Sequence, residues 1–243
     1  MATLGRLSAL LVTLCVSLAA FASDYLIEGQ AYDQEDLDRL LYRERYTGIN
    51  EEGERRVNYY DPDGERIAEK TLYYEEDPAK PGFRIVDKRD GSELGALWEE
   101  GGERLVLLRS GRNNLREKPV RPDSPLVIDA GFDDYVQANW SVLEEGQTLR
   151  FYFAFPNRLS TVMLRAEQIL PEDSPLYQPD EPWRYFEIQV ANRLMAMFAD
   201  NIYLAYDQET RRLMVYQGRS NIASDDGGTW DVRIFYTYSE GAD

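Results

Sequence analysis

Between Leu126 and Pro156 the hydrophobic period of the chain changes once, and that change limits what the chain can fold into. From near Asp129 the residues Phe132, Tyr135, Val136, Trp140 and Leu143 recur at helical spacing, giving a helix an apolar stripe that has to be covered. Gly146 ends the pattern, and Leu149, Phe151, Phe153 and Phe155 then alternate with Thr148, Arg150, Tyr152 and Ala154. A period of two belongs to a half-buried strand. A helix that runs straight into such a strand needs a sheet to lie on, and Trp140 is the expected core residue of that contact.

The rest of the chain supplies the sheet. Tyr25 to Tyr46 reads as two strands around Asp33-Gln34-Glu35-Asp36. Val57 and Tyr59 continue the alternation to Asp61-Pro62-Asp63-Gly64, a turn signal from which Ile67 to Tyr74 returns. Strands follow over Phe83–Asp87, Leu94–Trp98 and Arg104–Leu108, the last two joined around Gly101-Gly102. Ser110 to Pro125 is polar, carries Pro119, Pro122 and Pro125, and reads as a crossing loop and candidate boundary between two halves. Further strands cover Thr161–Ile169, Trp183–Val190, Ile202–Tyr206, Arg212–Gln217 and Trp230–Tyr238, with a loop over Pro171–Pro182 and a short helix over Asn192–Asp200. The expected fold is mainly β: a strongly curved antiparallel sheet, or incomplete barrel, with one main helix packed on it. A two-sheet β-sandwich is the competing architecture.

Residues 1–22 have the form of an export signal, with Arg6, the apolar run Leu7–Leu18 and Ala20-Phe21-Ala22 before Ser23. The expected product is a single β-rich domain over residues 23–243, periplasmic or secreted and not transmembrane after cleavage. Leu14 is too large for the residue before a lipidated cysteine, which disfavours lipidation at Cys15. Cleavage removes the one cysteine of a chain that has no histidine. Histidine-based triads and histidine- or thiolate-ligated metal sites are thereby excluded, and the residues call for no cofactor and no metal. The full chain carries 44 acids against 27 bases, a net charge of −17, which argues against a nucleic-acid partner.

Several constellations carry candidate chemistry. Asp129, Asp133 and Asp134 gather at the helix start, where an N-cap and an acidic first turn account for them better than paired catalytic carboxylates or calcium ligands. Asp61-Pro62-Asp63-Gly64-Glu65 resembles the opening of a calcium loop, but Leu72 stands where that loop needs a glutamate. Glu44, Glu69, Glu99, Glu167 and Glu187 lie on expected strands and offer carboxylate pairs for glycoside hydrolysis. Arg158, Arg165, Arg193, Arg211, Arg212 and Arg219 concentrate cations in the C-terminal half. The segment Arg193–Phe198 holds Met195 and Met197 beside Leu194 and Phe198, a composition that repacks around varied apolar shapes. It is expected to act as a plug at one end of the barrel, or else as a lid over a cavity mouth. The candidate ligand-binding set is Met163, Arg165, Arg193, Leu194, Met195, Met197 and Phe198, with no catalytic residue assigned.

The export signal, the antiparallel run and the ending Tyr206-Asp207-Gln208-Glu209-Thr210-Arg211-Arg212-Leu213 with Val232-Arg233-Ile234-Phe235-Tyr236 resemble uncharacterised periplasmic β-proteins of Gram-negative bacteria. The general pattern is similar to the half-barrel of the LolA/LolB lipoprotein carriers. That resemblance implies a concave sheet plugged by helices, with an apolar cavity for acyl chains. The leading functional expectation is a non-enzymatic protein binding an apolar or amphipathic, lipid-like ligand in a cavity under the curved sheet. The alternatives are a carboxylate-pair hydrolase acting on envelope polysaccharide, and an envelope scaffold whose partner is another protein.

Overall fold

The computed structural model describes residues 25–111, 114–192 and 200–239. Strands β1 (Ile27–Asp33), β2 (Leu40–Tyr46), β3 (Glu54–Tyr60), β4 (Arg66–Tyr73), β5 (Gly82–Asp87), β6 (Glu93–Trp98), β7 (Leu105–Gly111) and β8 (Asn114–Val120) are followed by the short β9 (Leu126–Val127). Helices α1 (Gly131–Ala138) and α2 (Trp140–Glu144) come next. The chain then continues through β10 (Leu149–Phe155), β11 (Ser160–Ile169), β12 (Trp183–Val190), β13 (Ile202–Asp207), β14 (Leu213–Ala223) and β15 (Thr229–Tyr238).

These fifteen strands form one sheet in the order β8-β7-β6-β5-β4-β3-β2-β1-β15-β14-β13-β12-β11-β10-β9. Because β1 pairs antiparallel with β15, the first and last strands meet at its centre. Only β9 and β10 run parallel among the described strands. A sheet this wide must coil, since each strand is twisted against its neighbour. It is curved and unclosed, and its two wings meet through a 3₁₀ turn (Pro156–Arg158) after β10, where Arg109 Nη1 donates to the Asn157 carbonyl at 2.5 Å. The incomplete-barrel expectation stands, and a continuous hydrogen-bonded sheet rules out the sandwich.

Burial follows the alternation. One cluster fills the concave side of β1–β7 with Ala31, Tyr42, Val57, Tyr59, Leu72, Phe83 and Leu107. A second gathers Val136, Trp140 and Leu143 from the helices against Phe151, Leu164, Phe186 and Tyr206. Trp140 is 2% exposed and meets Phe186 and Tyr206 edge-on at centroid distances of 5.4 and 5.8 Å. At the tucked-in end of the sheet both faces are covered: Phe151 faces the helices, while Ala154 and Leu126 join the first cluster. A third, smaller cluster lies on the convex face, with Leu176 from the 171–182 loop covering Tyr185, Ala205 and Val215.

Three expectations change. The helix is broken at Asn139 (φ −109°, ψ 19°), whose Nδ2 donates to the Tyr135 carbonyl at 2.8 Å. Asp129 is not its cap: α1 starts two residues later, the preceding residue is Ala130, and no side chain caps it. Gly131 marks a close approach, because a Cβ there would sit 2.4 Å from the Ala79 carbonyl oxygen. Finally, the polar 110–125 segment is not all loop, since Asn114–Val120 pairs along β7. It is an edge strand with nearly every residue exposed, which explains both its polarity and the tolerance of Pro119. The expected helix at 192–200 and the 1–22 leader fall essentially outside the described residues.

Candidate functional site

The first cluster is not purely apolar. Gly29 on β1 lies between Glu44 on β2 and Tyr236 on β15 in register. A Cβ on Gly29 would come within 2.8 Å of both side chains, so its absence lets them meet above the strand. Glu44 Oε1 accepts from the Tyr236 hydroxyl at 2.8 Å and from the Tyr46 hydroxyl at 2.9 Å. Burial pushes the Glu44 carboxyl above the ordinary glutamate range, against the pull of Lys70 and the two phenols.

Next to it, Lys70 Nζ donates to Asp129 Oδ1 at 2.7 Å, with side chains 3% and 9% exposed. Asp129 adopts φ 45°, a left-handed conformation that aspartate tolerates better than most residues. Its Oδ1 also accepts from the Ala130 N–H at 2.8 Å, and its Oδ2 from Asn221 Nδ2 at 3.3 Å. Asn221 Oδ1 accepts from the Tyr59 hydroxyl at 3.4 Å. Beside it, Ser220 Oγ meets the Tyr42 hydroxyl at 3.0 Å. The role expected for Asp129 as a cap is therefore corrected: it is the anion of a buried ion pair between β4 and the turn before α1.

Asp133 and Asp134 do lie in the first turn of α1. Burial raises both carboxyls, Asp134 to about 6. Asp133 Oδ2 accepts from Gln137 Nε2 at 3.1 Å, while its Oδ1, the Tyr206 hydroxyl and Arg55 Nε are buried without a partner in hydrogen-bond geometry.

Two grooves open at one end of the barrel, separated by the 223–229 turn. Arg89 clamps this turn, donating to the Ala223 carbonyl at 2.6 Å and to Asp225 Oδ1 at 2.8 Å. The first groove, about 460 Å³, is lined by Asp61, Asp63, Glu65, Arg66, Lys88, Arg89 and Trp230. Its cations are already engaged: Arg66 and Lys88 with Glu69, Arg89 with Asp87 and Asp225. The second, about 490 Å³, has Ser220 and Asn221 in its wall, so the hydrogen-bonded network of the interior reaches its surface. Ile85, Leu94 and Ile222 give it an apolar side, and Arg109 and Arg116 a cationic one.

The residues singled out from sequence are scattered. Met163 and Arg165 lie on the face of β11 opposite the buried Leu164 and Ala166, with Arg165 hydrogen-bonded to Gln189. Arg193, Leu194, Met195, Met197 and Phe198, and with them the lid, lie outside the described residues. Arg211 and Arg212 stack over Trp140 and Tyr238 at 5.4 and 5.0 Å, and Arg219 pairs with Asp200 at 3.1 Å. Of the five glutamates expected on strands, only Glu44 is buried, and Glu99 falls just past the end of β6. Glu69 and Glu99 pair with arginines, and Glu167 and Glu187 face one another across β11 and β12, away from both grooves. The Asp61–Gly64 segment closes as a hairpin turn, Asp61 Oδ1 accepting the Glu65 N–H at 2.8 Å. Sequence reasoning missed Lys70, Asn221 and the Arg109–Arg116 pair, although the basic run around Arg116 was a visible signal in so acidic a chain.

No family model and no curated protein matches the chain. Among solved structures it is similar to a β-barrel-like protein of a domain of unknown function, DUF1849, from Brucella abortus, at 9% identity and a TM-score of 0.48, over 88% of this chain and 97% of that one. Among the described residues no helix is long and apolar enough to cross a membrane.

Proposed function

We propose that the protein is an exported, non-enzymatic binder of an amphipathic ligand, seated in the groove walled by Ser220, Asn221, Ile85, Leu94 and Ile222. The observation that carries this reading is the pairing in one groove of an apolar wall with polar groups tied into the buried network. Ligand sites combine these features: apolar surface supplies affinity, and a few fixed polar groups supply orientation. The space directly beneath the sheet, where an acyl cavity was expected, is occupied by side chains, so the reading moves from the interior to its mouth. Hydrolysis is the weaker alternative. Glu44 is sealed among tyrosines, and the two acids of the groove, Asp87 and Glu93, are bound to Arg89 and Arg84 at 2.5 and 2.6 Å.

Native mass spectrometry of protein purified gently from its own envelope fraction tests the proposal. A co-purifying amphiphile mass is expected, and it should disappear in Thr229→Trp, which fills the groove from an exposed rim position. A wild-type spectrum showing only the bare chain, together with no binding of added amphiphiles, would overturn it.

A further inference from the structure

Residues 109–121 hold Arg109, Arg112, Arg116, Lys118 and Arg121 against the single acid Glu117. That is a sharp local reversal in a chain of net charge −17. Arg109 and Arg116 are direct partners across β7 and β8 and both line the second groove. Like charges placed opposite one another on a sheet face destabilise it. Neither arginine has a carboxylate within ion-pair distance among the described residues, and Arg109 spends one N–H on the Asn157 carbonyl. The acids that could neutralise them are present but turned elsewhere: Glu93 is held by Arg84 and Asp87 by Arg89. Protection of an exposed edge accounts for Lys118 and Pro119 on β8. It does not account for Arg109, because β7 is paired on both sides.

We infer that the Arg109–Arg116 pair is an anion seat, and that the ligand of this groove carries a phosphate or similarly compact multi-oxygen anion. Guanidinium groups present N–H donors in a planar fork that matches such oxygens. The anion would bridge the two cations and remove their repulsion, while Ile85, Leu94 and Ile222 receive the apolar remainder. This rests on the groove proposed above as the ligand site and adds the chemical class of its occupant.

Calorimetric titration of the full chain with dodecyl phosphate, dodecyl maltoside and inorganic phosphate tests it, alongside the variant Arg109→Gln/Arg116→Gln. Dodecyl phosphate is expected to bind at least about tenfold more weakly to the variant, with dodecyl maltoside unaffected. Arg116→Gln alone, which leaves the Arg109–Asn157 hydrogen bond in place, should melt without ligand at or above the wild-type temperature, because it removes the repulsion; a purely structural role for Arg116 would lower it. Inorganic phosphate that binds and is lost in the variant would support the seat even if neither amphiphile binds, a result that would instead remove the amphipathic reading. Co-sedimentation with phosphatidylglycerol vesicles, against phosphatidylcholine alone, would assign the phosphate to a lipid surface; soluble binding without co-sedimentation would assign it to a free ligand. Equal affinity of wild type and variant for dodecyl phosphate, or no binding of either phosphate, would overturn the anion seat.

Discussion

Replacing Lys70 with methionine isolates the buried ion pair, since methionine nearly matches the length of the lysine stem and leaves little void. At 2.7 Å and an effective dielectric of about 20, the gross attraction to Asp129 is about 6 kcal/mol. Much of that offsets the desolvation of both ions, but removing one partner leaves the other buried and charged, at a cost of about 3–5 kcal/mol. Asp129 would retain only the Ala130 N–H and the 3.3 Å contact from Asn221. Glu44 would lose the cation that holds its carboxyl down. The Glu44 carboxyl, already raised by burial, would then titrate higher still in the folded state, so the deficit of Lys70→Met should grow as pH rises from 5 to 8. Urea unfolding followed by circular dichroism at both pH values measures this, and the melting temperature should fall by roughly 6–20 °C. Asp129→Asn, which keeps a residue tolerant of positive φ, should recover about 1–3 kcal/mol when added to Lys70→Met. A loss below about 1 kcal/mol for the single variant, or simple additivity in the double, would refute a coupled buried pair.

Trp140→Ala should cost about 3–5 kcal/mol in urea unfolding, because it opens a cavity among Phe186, Tyr206 and Leu143; a melting temperature within a degree or two of wild type would contradict that packing. Burial raises the Glu44, Asp133 and Asp134 carboxyls, so the folded state holds these protons more tightly and stability should fall as pH rises from about 4 through about 6. Asp77, Asp207 and Asp226 are lowered by hydrogen bonds, and their contribution is lost instead as pH falls below about 4, placing maximum stability in mild acid. A urea midpoint higher at pH 7.5 than at pH 5 would contradict the buried carboxylates. Gly29→Ala should destabilise the fold and disturb the Glu44–Tyr236 contact, readable as a shift in tyrosine near-ultraviolet dichroism; an unchanged spectrum and midpoint would mean the two side chains do not meet over Gly29. N-terminal sequencing of the exported protein should begin at Ser23, and a start at Met1 would remove the export assignment.

The strands, the turns and the helix stripe were legible because they depend on local periodicity. Leu149 to Phe155 alternates whatever it packs against, and Asp61-Pro62-Asp63-Gly64 turns by its own backbone preferences. The absence of histidine, and of cysteine beyond residue 15, likewise excluded whole classes of chemistry before any fold was known. What the sequence could not say was which side of each strand would be enclosed, and by what. Glu44 has the same local pattern as Glu69, yet one is buried beneath two tyrosines and the other lies on the convex face. Lys70 and Asp129 are 59 residues apart, and only the rolling of β9 and β10 into the mouth of the sheet brings the turn before α1 against β4. Nothing in the local sequence pairs Arg109 with Arg116, and only the register of β7 against β8 sets them side by side. Pairing and enclosure are long-range outcomes of sheet curvature, and the desolvation of Glu44, Lys70 and Asp129 exists only once the sheet has curved around them.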